Sequence, residues 1–322
     1  MRNIKWILTT FIILAILIYF PTNGQAKKYK YMTILTGGTG GVYYPLGGGM
    51  AEVLTKAKIA NVTAESTGAS VENCNLVGRK RAEMGLAMAG ACYDAYNGLG
   101  KFKKRGKLPI LAMFAAYPSP MHILVLAKSS IHRISDLKGK KVSVGAFGSG
   151  TENMAKNMLY TLGITYKDIK PAFLSFSETA MSLRDGVVDA GFMAVAIPAS
   201  AVLDLGSTRK IRFVPLSQDE INKVTSKFKY YSSVVIPKGA YKGIGGLTEN
   251  TPAVGVQNIL ICQKDLPADL VYKIVKTLFA NKKKLIEVHQ IAKQMTPENA
   301  IKVPIPMHPG AIKYFKEIGA LK

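Results

Sequence analysis

The chain has 322 residues, of which 48% are hydrophobic and 20% charged. It is therefore long enough for two domains of ordinary size and apolar enough to bury a real core. Its 43 Lys and Arg against 20 Asp and Glu give a net charge of +23. Three cysteines, Cys74, Cys92 and Cys262, are too few for a disulfide-built scaffold, and the sequence leaves open whether any of them pair. Four scattered histidines without an HExxH motif offer no metal-site spacing.

The first residues have the layout of a secretory signal. Arg2 and Lys5 precede an uncharged apolar run at 7–20, which as a helix is too short to cross a hydrocarbon core of about 30 Å. Small residues then lead to Ala26. We expect a signal peptide at 1–26 that is cut after Ala26, and hence an exported mature protein. An uncleaved membrane anchor is the alternative.

Export changes the meaning of the positive charge. A basic cytosolic protein would suggest nucleic acid as a partner, whereas export separates a protein from the nucleic acid of the cell. The basic runs at 79–81, 101–105 and 282–284 are interpreted as solvated faces that can also steer anionic ligands or hold the protein near an anionic membrane surface.

Strand-like and helix-like segments alternate along the mature chain. In chain order, we predict a strand at 32–35, a helix at 45–56, a strand at 62–65, a helix from about 71, strands at 84–88, 110–114, 122–127 and 141–145, a helix from about 151, a helix at 178–185, strands at 190–195 and 254–262, and an amphipathic helix at 266–279. This alternation predicts an α/β fold with mostly parallel sheets. Such sheets place ligand sites beyond the carboxyl ends of their strands.

Three turns rich in small polar residues fall at those positions. They are Gly37–Gly41, 66–70 and 149–152. The first is neither the dinucleotide fingerprint nor a Walker A loop. Each turn alone has an ordinary explanation, either a positive-φ turn or helix capping. Three turns that each leave backbone amides free at a helix start predict a shared anion or carboxylate site.

Catalytic arrangements are not evident. The chain has no G-x-S-x-G elbow, and Ser149 has no evident histidine partner. The acidic residues are each explained locally: Asp94 lies in a turn, Glu178 in the first turn of a helix and Asp189 before a strand. We therefore predict a binding protein without cofactor or metal. The alternatives are an exported enzyme acting on a small carboxylate and a membrane-associated sensory module.

The motifs together resemble the TAXI family, the solute receptors of TRAP transporters. The resemblance covers the mature chain in order, through GGTGGVYYP at 37–45, ESTGASVEN at 65–73, YDAYNG at 93–98, DLKGK at 136–140, SVGAFGSGTE at 143–152, LSFSE at 174–178 and PIPMHPGA at 304–311.

The resemblance implies a two-lobe, type II periplasmic-binding-protein fold, with hinge strands between lobes whose mostly parallel sheets are flanked by helices. It also implies that the partners are a small anionic ligand (an amino acid such as glutamate, or an organic acid) and the TRAP membrane subunits, with import driven by an ion gradient. The implied ligand-binding residues are Thr39, Gly40, Gly41, Tyr43, Thr67, Ser70 and Tyr93 in the first lobe, and Ser149, Gly150 and Thr151 in the second.

Two departures from the family pattern remove hydrogen-bonding groups near the expected cleft. The stretch 88–91 reads Met-Ala-Gly-Ala where the family is polar, and Ala194, Ala196 and Ile197 replace Thr and Gly-Tyr. An unpaired buried polar group costs about 1–3 kcal/mol. We therefore expect a ligand with an anionic head and a less polar body than glutamate.

The polypeptide is expected to cross between the two lobes twice. The first is placed near 118–127, and the second at the strand 254–262, with 213–216 and 233–236 as rivals. Lobe one is then 27–121 plus 253–322, and lobe two is 122–252.

Overall fold

A mixed sheet of ten strands runs through the molecule. The computed structural model describes residues 29–241, 243–244 and 248–322, so the expected signal peptide and its cleavage after Ala26 lie outside the described residues. The strands are β1 (Tyr31–Leu35), β2 (Asn61–Glu65), β3 (Met84–Met88), β4 (Ile110–Leu126), β5 (Lys141–Ser143), β6 (Lys170–Ala172), β7 (Ala190–Ala194), β8 (Ile211–Phe213), β9 (Tyr231–Ile236) and β10 (Thr251–Gln263). Their order is β2-β1-β3-β10-β4-β7-β5-β6, with β8 on β4 and β9 on β10.

Helices flank this sheet. They are α1 (Tyr43–Lys56), α2 (Ser70–Gly78), α3 (Ala89–Asn97), α4 (Gly150–Thr161), α5 (Phe176–Arg184), α6 (Ser200–Thr208), α7 (Gln218–Lys227), α8 (Ala268–Ala280), α9 (Lys282–Val288), α10 (Pro297–Ala300) and α11 (Pro309–Glu317). The amphipathic pattern of α8 is confirmed, because Val271, Ile274, Val275 and Leu278 are its buried residues. Within the described residues, no helix combines the length and the apolar character that a membrane span requires.

The two ends of the sheet are parallel and its middle is antiparallel. At one end β1 runs parallel to β3, and at the other β5 runs parallel to both β6 and β7. Strands β4 and β10 run antiparallel to each other and to their outer neighbours β7 and β3. The predicted α/β fold is confirmed. Below, "the β3 side" means β1–β3 with α1–α3 and their loops, and "the β7 side" means β5–β8 with α4–α6 and their loops.

The segment 110–127 differs from the prediction of two strands. It forms one strand, β4, whose first part pairs with β10 and whose last part, from Met121, pairs with β7 and β8. Pro118 and Pro120 interrupt the sequence pattern but not the strand. The carbonyl of Pro120 faces Val195, at 3.3 Å from its nitrogen, and backbone groups alternate between the two edges of a strand. Both prolines therefore lack an N–H group on the edge of β4 that faces β7. Pairing with β7 begins only at Met121, so this part of the edge needs no donor and tolerates proline.

Several helices begin slightly earlier than predicted, whereas α8 begins two residues later, at Ala268 rather than 266. Helix α5 begins at Phe176 rather than Glu178, because Ser175 is the N-cap. The Oγ of Ser175 accepts from the Glu178 amide at 3.3 Å, and the Glu178 carboxylate accepts from the Ser175 amide at 2.8 Å. This capping box makes Glu178 the third helical residue.

The core contains three cysteine thiols and the ring of a histidine. All three cysteines are buried free thiols. His122 on β4 is also fully buried. Its Nδ1 lies 3.1 Å from the carbonyl oxygens of Pro120 and Met193, and its Nε2 lies 2.9 Å from the hydroxyl of Tyr241. Burial lowers the pKa of His122 from 6.5 to about 4, so the ring is neutral, donates from Nδ1 and accepts from Tyr241.

The neutral His122 predicts an acid-sensitive fold. Between about pH 6.5 and 4 the unfolded chain binds a proton at this position that the native chain does not, so the free energy of unfolding must fall as the pH falls. The shift corresponds to a loss of about 3 kcal/mol across this window. Urea unfolding at a series of pH values should show a shallower pH dependence for His122→Gln than for the wild type. His132→Gln, a change at an exposed histidine, is the control, and equal slopes for wild type and His122→Gln would contradict the assignment.

Candidate functional site

Two adjoining cavities lie between the β3 side and the β7 side. The inner cavity has a volume of about 60 Å³, and the outer cavity one of about 370 Å³. Both are lined by Gly38, Ala69, Ser149 and Phe176. They therefore form one continuous recess to which both sides of the molecule contribute.

Most of the residues expected to bind the ligand line this recess. Gly41, Tyr43, Ser149, Gly150 and Thr151 line the inner cavity. Thr39, Gly40, Thr67 and Ser149 line the outer cavity. Segments far apart in the sequence are thus brought to one place.

Two of the expected residues lie elsewhere. Ser70 is buried behind the wall, where its Oγ accepts a hydrogen bond from the Met88 amide at 3.0 Å. Tyr93 lies outside both cavities and is 39% exposed. The buried residues of α3 are Ala89–Cys92 and Ala95, so Tyr93 lies on another face and packs its ring against Tyr230, with centroids 5.5 Å apart.

The N-terminus of α4 forms one end of the inner cavity. Ser149 caps this helix by accepting a hydrogen bond at its Oγ from the Glu152 amide at 3.1 Å. The amides of Gly150 and Thr151 have no hydrogen-bond partner among the described residues. The side chain of Thr151 is also without a partner there, although the residue is only 1% exposed. Helix α4 therefore presents unpaired donors to the cavity.

The N-terminus of α1 lies at the same cavity. Its N-cap, Val42, offers no side-chain cap, and the structure gives the amides of Tyr43 and Tyr44 no partner within the described chain. Each helix N-terminus carries a partial positive charge of about +0.5. Two of them at one small cavity create a local preference for an anion.

A buried polar network supports the α1 end. The Tyr43 hydroxyl donates to Oδ1 of Asn258 at 2.7 Å, and Nδ2 of Asn258 donates to the Tyr117 carbonyl at 2.9 Å and to Oγ of Ser119 at 2.8 Å. Burial raises the pKa of Tyr43 well above its usual value, so this phenol remains a donor. Because Ser119 accepts from Asn258, its own hydroxyl proton is left to donate to the inner cavity, which Ser119 lines.

Tyr117 adds an unused hydroxyl. It lines the inner cavity, is 1% exposed, and its hydroxyl has no partner among the described residues. Burial raises the pKa of Tyr117 well above its usual value, so the group stays protonated. A buried polar group is normally hydrogen-bonded. Among the described residues, the fully enclosed side-chain oxygen or nitrogen without a partner is Oε1 of Gln257. The Tyr117 oxygen is therefore open to the inner cavity, where it can donate to a polar ligand.

The backbone is strained where the two cavities meet. Ala69 has φ 72° and ψ −145°, a region that is essentially restricted to glycine and costs of the order of 1–3 kcal/mol. Its amide is fixed by Oγ1 of Thr67 at 3.0 Å. Strain of this size persists only where surrounding contacts enforce it, and such positions cluster at functional sites.

The family departures noted in the sequence fall in the inner cavity. Met88, Ala194 and Ala196 all line it, together with Val195 and Phe176. This wall is apolar, whereas the two helix N-termini are polar. The cavity can therefore hold a molecule with one charged end and one apolar end.

The β3 and β7 sides are in direct contact around the cavities. The Val71 amide donates to the Gly148 carbonyl at 3.2 Å, and the Ala201 amide donates to the Gly40 carbonyl at 3.4 Å. A Cβ atom at Gly150 would lie 2.5 Å from Oγ of Ser70 and 2.6 Å from Sδ of Met88. Only glycine permits this close an approach, so the structure represents a closed arrangement.

Charged residues join the two sides beside the cavities. Lys101 forms an ion pair with Glu152, whose side chain is only 4% exposed. Next to it, Nδ2 of Asn153 donates to Asp94 at 3.3 Å. The Tyr166 hydroxyl also lies 3.2 Å from the Glu152 carboxylate. Tyr166 lies on the same side as Glu152, between α4 and β6, so only the Lys101–Glu152 ion pair and the Asn153–Asp94 hydrogen bond require the two sides to be together.

Sequence reasoning missed Tyr117, Ser119 and Asn258. One signal was available, because Asn258 is a polar residue in the middle of the apolar run of β10. Neither cavity is lined by a charged side chain, a histidine or a cysteine among the described residues. Nor do the described residues contain a cluster of three or more His, Cys, Asp or Glu that could hold a metal ion.

Comparison with solved structures identifies the fold. A Listeria monocytogenes structure described as an L-cystine ABC transporter is 14% identical and matches with a TM-score of 0.50, over 81% of this chain and 94% of that one. The alkanesulfonate-binding protein SsuA from Xanthomonas axonopodis pv. citri bound to MOPS is 15% identical with a TM-score of 0.49, over 90% and 91% of the two chains. At this identity the first match shows a shared fold.

Sequence comparison finds a partial match to a known protein and a nearly complete match to a family model. A Haemophilus influenzae protein named for thiamine biosynthesis is 35% identical over 86 residues, which is 26% of this chain and 26% of that protein. The chain thus matches only about a quarter of that relative's length. The model of the NMT1-like family, by contrast, matches residues 34–319, and the chain therefore belongs to the NMT1-like family.

Proposed function

We propose that this protein is an extracytoplasmic solute-binding protein that captures a small carboxylate between two lobes. The lobes are 27–121 plus 253–322 and 122–252, and β4 and β10 serve as the hinge strands. The observation that carries the proposal is the inner cavity, where unpaired amides of α1 and α4 meet the free hydroxyls of Tyr117 and Thr151.

The donor set is sufficient for reversible capture. A hydrogen bond to a charged group contributes about 1.5–3 kcal/mol, and a micromolar complex needs about −8 kcal/mol in total. A few such bonds, together with burial of an apolar body against Met88 and Ala194–Ala196, reach that range after the entropy of binding is subtracted. The described cavity walls hold no carboxylate, imidazole, amine or thiol side chain, and burial keeps the pKa of Tyr43 and Tyr117 well above its usual value, which favours binding over turnover.

Delivery follows from the same proposal. We assign the protein to the TAXI type, acting in the periplasm with the membrane subunits of a TRAP transporter, because its motifs at 37–45, 65–73 and 143–152 build the cavity walls. Uptake of a labelled ligand by intact cells should stop when an ionophore collapses the ion gradient and should continue when ATP is depleted. Dependence on ATP alone would contradict the TRAP assignment and leave the binding role in place.

The Thr151 hydroxyl offers the sharpest test of the site. Thr151→Val keeps the shape and removes the hydroxyl, so we expect affinity for the bound carboxylate to fall by roughly 10- to 150-fold, as loss of one hydrogen bond to a charged group implies. Thr151→Ser is the matched control and should stay near the wild type. Calorimetric titration measures both, and thermal unfolding without ligand should be unchanged. Equal affinities for the valine and serine variants would remove Thr151 from the site.

Gly150 tests whether binding requires the closed arrangement. In Gly150→Ala the new methyl overlaps Ser70 and Met88 only when the two sides meet, and overpacking of this kind costs about 1–3 kcal/mol. We expect affinity to fall about 10- to 100-fold, while the stability of the ligand-free protein changes little. Gly48→Ala is the control, since nothing lies within 4 Å of an added Cβ there. Wild-type affinity in Gly150→Ala would show that the ligand binds without this closure.

A further inference from the structure

The geometry points to a ligand that carries a carboxylate but no ammonium group, that is, an organic acid rather than an amino acid. This inference rests on the proposed function and narrows its ligand class. It follows from the balance of donors, acceptors and charges around the inner cavity.

The cavity is rich in donors. Unpaired amides come from Tyr43 at the start of α1 and from Gly150 and Thr151 at the start of α4. Tyr117 and Thr151 add hydroxyls that have no partner among the described residues, although both residues are only 1% exposed. These groups complement the lone pairs of a carboxylate.

Four of the acceptors near the cavity already accept one hydrogen bond each. The Gly38 carbonyl accepts from the Gly41 amide at 3.2 Å, and Oδ1 of Asn258 accepts from Tyr43 at 2.7 Å. The hydroxyl oxygens of Ser119 and Ser149 also each accept a hydrogen bond, from Asn258 and from Glu152. An ammonium group brings three donors, and to receive them these oxygens would each have to accept a second hydrogen bond, with no carboxylate of the described lining to take the strongest one.

The charges around the inner cavity also disfavour an ammonium group. Neither cavity is lined by an aspartate or glutamate within the described chain, so an ammonium ion would be desolvated without a counter-charge. The α-ammonium of an amino acid lies one carbon from its carboxylate. It would therefore sit close to the positive ends of α1 and α4, where a cation is disfavoured.

Matched pairs of ligands test this inference on the wild-type protein. Calorimetric titration compares isovalerate with L-valine and glutarate with L-glutamate, since the members of each pair share a carbon skeleton and differ by the ammonium group. We expect at least one acid to bind, on the order of 100-fold more tightly than its amino-acid partner, as expected when a buried polar group is left unpaired. An amino acid that binds as tightly as its matched acid, or more tightly, overturns the inference but leaves the binding role intact. Failure of every acid and every amino acid to bind overturns the proposed function as well.

A substitution can reverse the preference. Ala196 lines the apolar wall of the inner cavity, and Ala196→Asp would supply the missing counter-charge. Relative to the wild type, we expect the ratio of amino-acid to acid affinity to rise at least about tenfold, the factor that corresponds to about 1.4 kcal/mol. Ala196→Asn, of equal size and without charge, should not raise this ratio. A folded Ala196→Asp protein that keeps the wild-type ratio contradicts the inference, and the wild-type titration decides the matter if the variant does not fold.

Discussion

The organisation of this molecule depends on one constraint: the first amides of an α-helix have no partner within the helix. In α1 and α4 neither a side chain nor a neighbouring loop pairs all of these amides, and both helices begin at the same small cavity. Helix α1 belongs to the β3 side of the molecule and helix α4 to the β7 side. Bringing them together concentrates partial positive charge at one small cavity, which disfavours the empty closed form and favours one that holds an anion.

Closure itself is built into the residues at the contact. Gly40 and Gly150 allow the backbones to approach to distances that a methyl group would prevent, since a Cβ on Gly40 would lie 2.4 Å from Oγ of Ser177. The Lys101–Glu152 ion pair and the Asn153–Asp94 hydrogen bond lie beside this contact. Because a ligand bridging the two sides makes contacts that exist only in the closed state, its binding energy shifts the population toward closure.

The sequence predicts the helix starts at the site better than it predicts the walls between them. The turns at 37–41, 66–70 and 149–152 could be recognised because glycine and hydroxyl residues before a helix have known local geometry, and the family motifs ordered them. Tyr93 could not be placed, since its orientation depends on which face of the short α3 is buried. Tyr117 and Ser119 were missed because Pro118 and Pro120 suggested a break, whereas β4 continues through them at an edge where no N–H is needed. The role of Asn258 arises only from pairing between β4 and β10, which are distant in the chain.

The central claim is that those helix amides contact the ligand. Backbone amide spectra of the ¹⁵N-labelled protein, recorded with and without a saturating carboxylate, report on each N–H separately. We expect the chemical shifts of the amide protons of Tyr43, Gly150 and Thr151 to move strongly downfield on binding, because each forms a new hydrogen bond to an anion. Binding that leaves these three resonances in place, while others shift, would contradict the central claim.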